Sequence, residues 1–242
     1  TVSGAGNTTF SDATTIATLS VDAGEATFSS SCVLQTALTV AGGATLDMDG
    51  TLDMDASLSN SGTIELSDDM TGSLADISGS GTWDFDAAGA QSVDMDAALA
   101  ISGTVHVSES GTTTFQDAVT VTGTFENQQN STAAFASSLA INTNNLTDAN
   151  NSSLIQVAGD ITTVDQAPLS LFGNWELNST GVQNVDGLGV TAISVTGDLT
   201  VSGAGTTTFE DNLSVGGAFT NADGDMDVNG NLTLNGAISG NT

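Results

Sequence analysis

Lysine and arginine are wholly absent from this chain. Against 29 aspartates and glutamates stands a single histidine, His106, and the formal net charge is −29. No Lys or Arg salt bridge can form, either internally or with an identical neighbour. Nucleic-acid binding depends on cationic side chains that release condensed counterions, and anionic membrane surfaces are held by the same groups. Both kinds of partner are therefore excluded, and positive partners, divalent metals or high salt are the expected companions. Tyrosine is missing as well, and one cysteine, Cys32, allows no internal disulfide. The lone proline, Pro168, suits a protein of many central strands, where a missing N–H breaks a ladder. No apolar run is long enough to span a membrane, and no basic segment of signal-peptide type opens the chain. Beginning at Thr1, the chain reads as a processed piece from which an upstream secretion signal could have been removed, and the expected location is extracellular.

Hydrophobic residues make up 38% of the 242 positions, too many for a disordered acidic tail and enough for a real core. They come in alternating pairs such as Leu46/Met48, Leu52/Met54, Ile64/Leu66, Trp83/Phe85, Leu99/Ile101 and Leu232/Leu234. Strict alternation is the strand period, with residues i and i+2 on one face. Gly, Asn, Asp and Ser lie between the pairs, where turns need them. No stretch carries the i, i+3, i+4, i+7 pattern of a helix.

A longer repeat overlies this rhythm. Val2-Ser3-Gly4-Ala5-Gly6-Asn7-Thr8-Thr9-Phe10 recurs as Val107 to Phe115 and as Val201 to Phe209. Its spacing fits a cycle of about 20 residues holding three short strands, one coil of a parallel β-helix. The expectation is an all-β fold: a single elongated β-solenoid over residues 1–242, with roughly twelve coils stacked about 4.8 Å apart. The two ends also match in register. Ala237-Ile238-Ser239-Gly240 repeats Ala100-Ile101-Ser102-Gly103, and head-to-tail joining would place Val2 and Phe10 where Val107 and Phe115 follow Ile101. Neither end reads as a cap, and exposed strand edges invite addition of another strand. A contact of that kind never closes and builds a filament. Val2, Phe10, Leu232, Leu234 and Ile238 are the expected assembly residues, and identical units or tandem repeats the expected partners.

The Thr/Ser/Gly/Asn/Asp-rich texture and the short Val-x-Val strands resemble the β-helical repeat regions of large bacterial surface adhesins of filamentous-haemagglutinin and autotransporter-passenger type. The likeness spans the chain and is one of composition, without a family-defining motif. It implies an extracellular, cell-surface β-solenoid, with cell-surface glycans among the candidate partners, and no site residues.

Asp-Met-Asp occurs at Asp47–Asp49, Asp53–Asp55, Asp94–Asp96 and Asp225–Asp227. In a strand this puts Met inward and two carboxylates outward, and stacking of such pairs would create repulsion that no lysine is present to relieve and that a divalent cation could. Ca²⁺, which favours several carboxylate and carbonyl oxygens, is the expected cofactor, at Asp47, Asp49, Asp53 and Asp55 or at Asp223, Asp225, Asp227 and Asn229. The last set opens like a calcium loop, but its twelfth position is Gly236 and not glutamate, which excludes an EF-hand. His106, between Val105 and Val107, is expected at the surface, and Cys32 in the core. Sequons stand at Asn7, Asn130, Asn145, Asn150, Asn151, Asn178, Asn212 and Asn231. Threonine rows at Thr112–Thr114 and Thr206–Thr208 resemble ice-binding ladders, but recur only about every five coils of the expected solenoid. Some β-helices act on polysaccharides. Such enzymes grip acidic substrates with Arg and Lys, and here Asp84/Asp86 beside Trp83 and Phe85 is the least implausible cluster. No enzymatic activity is expected.

Overall fold

The computed structural model describes residues 1–240 apart from 129, 143–144, 149–151, 165–167, 188 and 190–191. The described chain is all-β, without helix, and its strands pair in parallel as a β-solenoid of about 11 turns. The chain visits three faces in fixed order. Face I begins with Asn7–Phe10 and runs as an eight-stranded sheet to Leu146–Asp148. A four-stranded sheet from Leu169–Leu171 to Leu232–Leu234 then takes the same place in the coil. Face II runs from Thr14–Val21 to Ile238–Gly240, and face III from Asp76–Ile77 to Asp225–Val228. In the first coils, Thr14–Val21 and Cys32–Val40 pass the corner after face II as single long strands, with a register shift between Ile16 and Thr18.

Coils differ in length. Thr45 pairs with Thr63, a coil of 18 residues, whereas Ile161 pairs with Val185, a coil of 24. This variation overturns one expectation. The three copies of the nonapeptide repeat do not lie a whole number of coils apart, because their strands fall on different faces. Asn7–Phe10 is on face I, Thr112–Phe115 on face II and Thr206–Phe209 on face III. The local sequence specifies a strand with an inward second and fourth residue. Which side of the rod it occupies depends on the summed lengths of the intervening coils.

Inward residues form continuous columns. Ala26, Leu46, Ile64, Trp83, Val105 and Phe125 stand in register on face I, all fully buried. Mid-rod, Phe115 stacks on Phe135 at 5.2 Å and meets Phe85 and Phe125 edge-on at 5.6 and 5.8 Å. Such ring pairs add about 0.5–1.5 kcal/mol each beyond their burial. Cys32 is fully buried in the core, as expected. Its thiol is pushed up to about 11 by burial, so it is an inert packing residue.

Among the buried polar groups that interrupt this apolar interior, two glutamine clamps use the repeat. Gln91 Nε2 donates to the carbonyls of Leu66 and Asp68 in the coil before, at 2.8 and 2.6 Å. Its Oε1 accepts from Thr113 in the coil after, at 3.0 Å. Gln183 does the same with Val157, Gly159 and Thr207. The middle threonine of each row is thus buried and bonded inward (2% and 3% exposed), so neither row is a flat outward ladder of three threonines. An aspartate buttresses each clamp from outside: Asp69 accepts from Ser92 N and Asp160 from Asn184 N, both at 2.7 Å.

Close stacking makes one glycine of the repeat indispensable. A Cβ at Gly111 would lie 2.1 Å from the Ala87 carbonyl oxygen, and one at Gly205 would lie 1.8 Å from that of Gly181. Gly111→Ala is expected to destabilise the chain by about 3 kcal/mol, whereas Gly89→Ala, where a Cβ meets nothing within 4 Å, should be neutral or stabilise by up to about 1 kcal/mol. Urea unfolding followed by circular dichroism separates the two. Gln91→Ala should cost about 2 kcal/mol in the same assay, because it leaves the buried Thr113 hydroxyl without its acceptor and removes the amide donor from the Asp68 carbonyl, while the Leu66 carbonyl keeps the Asp86 N–H.

Candidate functional site: an acidic column on face I

Charge gathers most densely on the outside of face I. Five consecutive coils there carry the same four-residue pattern of Thr, apolar, titratable, apolar or Asn. They read Thr45-Leu46-Asp47-Met48, Thr63-Ile64-Glu65-Leu66, Thr82-Trp83-Asp84-Phe85, Thr104-Val105-His106-Val107 and Thr124-Phe125-Glu126-Asn127. Their ladders are in exact register, so Asp47, Glu65, Asp84, His106 and Glu126 form one outward column beside a column of threonines. The second and fourth positions are buried and the titratable residue half-buried. Parallel, unstaggered strands repeat about every 4.8 Å, and neighbouring charges at that distance repel by about 0.9 kcal/mol in water and more beside an apolar wall.

The electrostatics follow from this geometry. Burial, and after it the charges of Asp47, Asp86, Asp84 and Glu25, hold the Glu65 carboxyl above the usual glutamate range. Asp47 is raised by burial first and then by Asp49, with the Thr27 hydroxyl opposing. Asp86 is raised by burial, against a hydrogen bond from Ser67 at 2.9 Å. His106 Nε2 lies 3.5 Å from Glu126 Oε2, the one contact between a basic side chain and a carboxylate among the described residues. Elsewhere hydroxyls and backbone amides take the place that lysine would have. Ser108 donates to Asp84 at 2.7 Å and Ser73 to Asp55 at 3.0 Å. Backbone N–H groups of Met95, Gly187 and Ala218 donate to Asp117, Asp211 and Asp198.

The Asp-Met-Asp motifs behave differently from expectation. Their methionines do point inward: Met48, Met54 and Met95 are buried and Met226 packs on the core. But the motifs do not stack on one another. Asp47 and Asp49 belong to face I, whereas Asp53 and Asp55 belong to face II, where Asp53 lies between Val33 and Thr71. Asp94 sits on the other side of Thr71. Asp225 and Asp227 are exposed on face III against Thr206 and Thr208; Asp223 is exposed in the preceding bend, and Asn229 donates to Glu210 at 2.7 Å. Among the described residues no group of three or more His, Cys, Asp or Glu lies close enough together to hold a metal ion. No pocket opens among them either.

The expected assembly residues lie at the two ends of the rod. Val2 is buried and bridges Val21, and Phe10 stacks on Phe28 at 4.4 Å. Leu232 and Ile238 are 43% and 68% exposed, and Leu234 is half-buried. Of the sequons, Asn150 and Asn151 lie outside the described residues. Asn145 spends its amide on the Thr122 carbonyl at 2.7 Å, and Asn178 Oδ1 is buried. In the sequence, Asp84 and Asp86 stand out only as a pair beside aromatics, and Glu65 carries no signal of its own. The signal that would have found the column is the recurrence of Thr-apolar-acid-apolar once per coil.

No protein-family model matches the chain, and neither a curated protein nor a solved structure gives a match.

Nearly every side-chain charge pair in this molecule is repulsive, so screening removes a cost and almost no attraction. The melting temperature is therefore expected to rise continuously as NaCl goes from about 0.05 to 0.5 M, a range over which the Debye length shortens about threefold. A fall in that range would show that attractive charge pairs dominate.

Proposed function

We propose that this chain is a structural, extracellular β-solenoid that stacks end to end, through its own coils, into a filament, sheath or surface fibre. The observation that carries this reading is that every strand pairing among the described residues is parallel, coil on coil, with a second sheet continuing face I after Leu146–Asp148. Successive coils are joined by backbone bonds such as Val2 N to Ser20 O at 2.8 Å and Phe219 N to Ala237 O at 2.8 Å, which require no charge. A junction made the same way suits a chain without cations. Face order supports it too. The strand Ile238–Gly240 lies on face II, while Val2 pairs beyond the corner that follows face II and Asn7–Phe10 lies on face I, the sequence in which the next coil would run. Phe10 would then come over Leu234, and both point inward. The partners on this reading are identical units, without nucleic acid and without membrane insertion, and no catalysis is involved.

The second reading is a stalk within a giant cell-surface adhesin. The unequal coils, from 18 to 24 residues, favour it, since covalent order lets each coil diverge without losing its neighbour.

Negative-stain electron microscopy of the purified 242-residue chain separates the two. Filaments of constant width that disappear when Leu232 and Ile238 are changed to Lys are the expected result for stacking. Monodisperse single rods would leave the covalent stalk.

A further inference from the structure

We infer that the outward column of face I is a proton-responsive element, in which Glu65 takes up a proton and shares it with the carboxylate in the coil before or after. The inference concerns a single rod and does not depend on stacking.

The geometry is that of a ladder of like charges with no slack. On a helix, neighbouring acids can splay around the axis. In parallel strands held in register, Asp47, Glu65 and Asp84 occupy equivalent positions on three successive rungs and must face the same way. Glu65 is the middle rung, half-buried against its neighbours. The titratable groups around it come from every adjoining segment: Glu25 and Asp47 with Asp49 from the coils before, Asp84 and Asp86 from the coil after. His106, Glu109 and Glu126 stand beyond Asp84. No lysine or arginine exists to neutralise any of them.

Donors are distributed unevenly along the column. Asp84 has the Ser108 hydroxyl and Asp86, just outside the column, that of Ser67, while the Thr27 hydroxyl one rung before Asp47 donates to Glu25. Among the described residues Glu65 accepts no side-chain hydrogen bond. A proton on Glu65 therefore does two things at once. It removes the central charge, and it creates an O–H donor within reach of an acceptor carboxylate on the adjacent rung. Two carboxyls that share one proton are the usual outcome when like charges are held this close.

The direction with pH follows from linkage. Raised above its unfolded value, Glu65 binds more protons in the folded state. The column costs stability above the folded-state pKa, and that cost is relieved as pH falls through it, fully so below the ordinary glutamate value. Acidification from neutral pH should stabilise this rod.

The test is thermal unfolding of the full chain between pH 7.5 and 4.5, at fixed ionic strength and with chelator throughout, so that no divalent ion stands in for the proton. The wild-type melting temperature is expected to rise as pH falls. Glu65→Gln should melt about 2–4 °C higher than wild type at pH 7.5 and lose most of the further rise. Asp223→Asn, at an exposed acid away from the column, should keep the wild-type slope. A Glu65→Gln protein with the wild-type slope, or a wild-type melting temperature that falls on acidification, overturns the inference. Should Glu65→Gln fail to fold, NMR titration of the wild-type Glu65 carboxyl decides: a midpoint at or below about 4.3, the unperturbed glutamate value, refutes it.

Discussion

The structure depends on one spacing, the rise of about 4.8 Å between parallel strands. Each coil leaves its N–H and C=O groups pointing along the rod axis, and only another coil can satisfy them. This single demand sets the residue types at the corners, where Gly111 and Gly205 have the Ala87 and Gly181 carbonyl oxygens so close that no Cβ fits. It also sets the interior, where a side chain must pack on its counterpart one rung away, as Phe115 does on Phe135. Even the buried polar groups follow the axis. Gln91 and Gln183 each reach down to two carbonyls and up to one threonine, so that each ties three coils together.

The same spacing makes the charge problem acute. A globular acidic protein can scatter its carboxylates over a convex surface. A solenoid aligns them. The chain meets this in two ways. Over most of the rod an acid is flanked by threonine or serine in the next coil, as Asp53 and Asp94 flank Thr71, and hydroxyls or backbone amides are turned towards carboxylates. On face I the acids are left directly in line through Asp47, Glu65 and Asp84, and His106 enters the column next, beside Glu126. Serine donors work here because a neutral hydroxyl can satisfy a carboxylate without a counter-charge, though each such bond contributes less than an ion pair would at a buried site.

The described interior of this rod is filled with packed side chains, and no pocket opens in it. Its chemistry is at its faces and ends, which is where a structural role in a fibre or a surface stalk would place its contacts. The absence of lysine and arginine bears on the proposed role. On that proposal, contacts between identical units would come from backbone edges, apolar ends such as Leu232 and Ile238, or hydroxyl-rich faces.

Much of this was legible in the residues. The period-two pairs gave the strands, and the inward positions of Trp83, Phe85, Met48 and Met54 followed from alternation alone. Cys32 in the core and His106 on the outer side were readable in the same way, because side-chain direction in a strand is a local property. The acidic column was only half legible. Each Thr-apolar-acid-apolar segment is visible, but that Asp47 meets Glu65 while Asp53 meets Thr71 depends on coil length. By itself, then, the sequence determined the strand period, the coil architecture, the buried set and the lack of any cation. Only the tertiary structure decided which face each segment occupies and which acids become neighbours. The physical reason is that register in a solenoid is cumulative. Coils of 18 to 24 residues add up along the chain, so one nonapeptide can stand on three different faces, and no local window contains that sum.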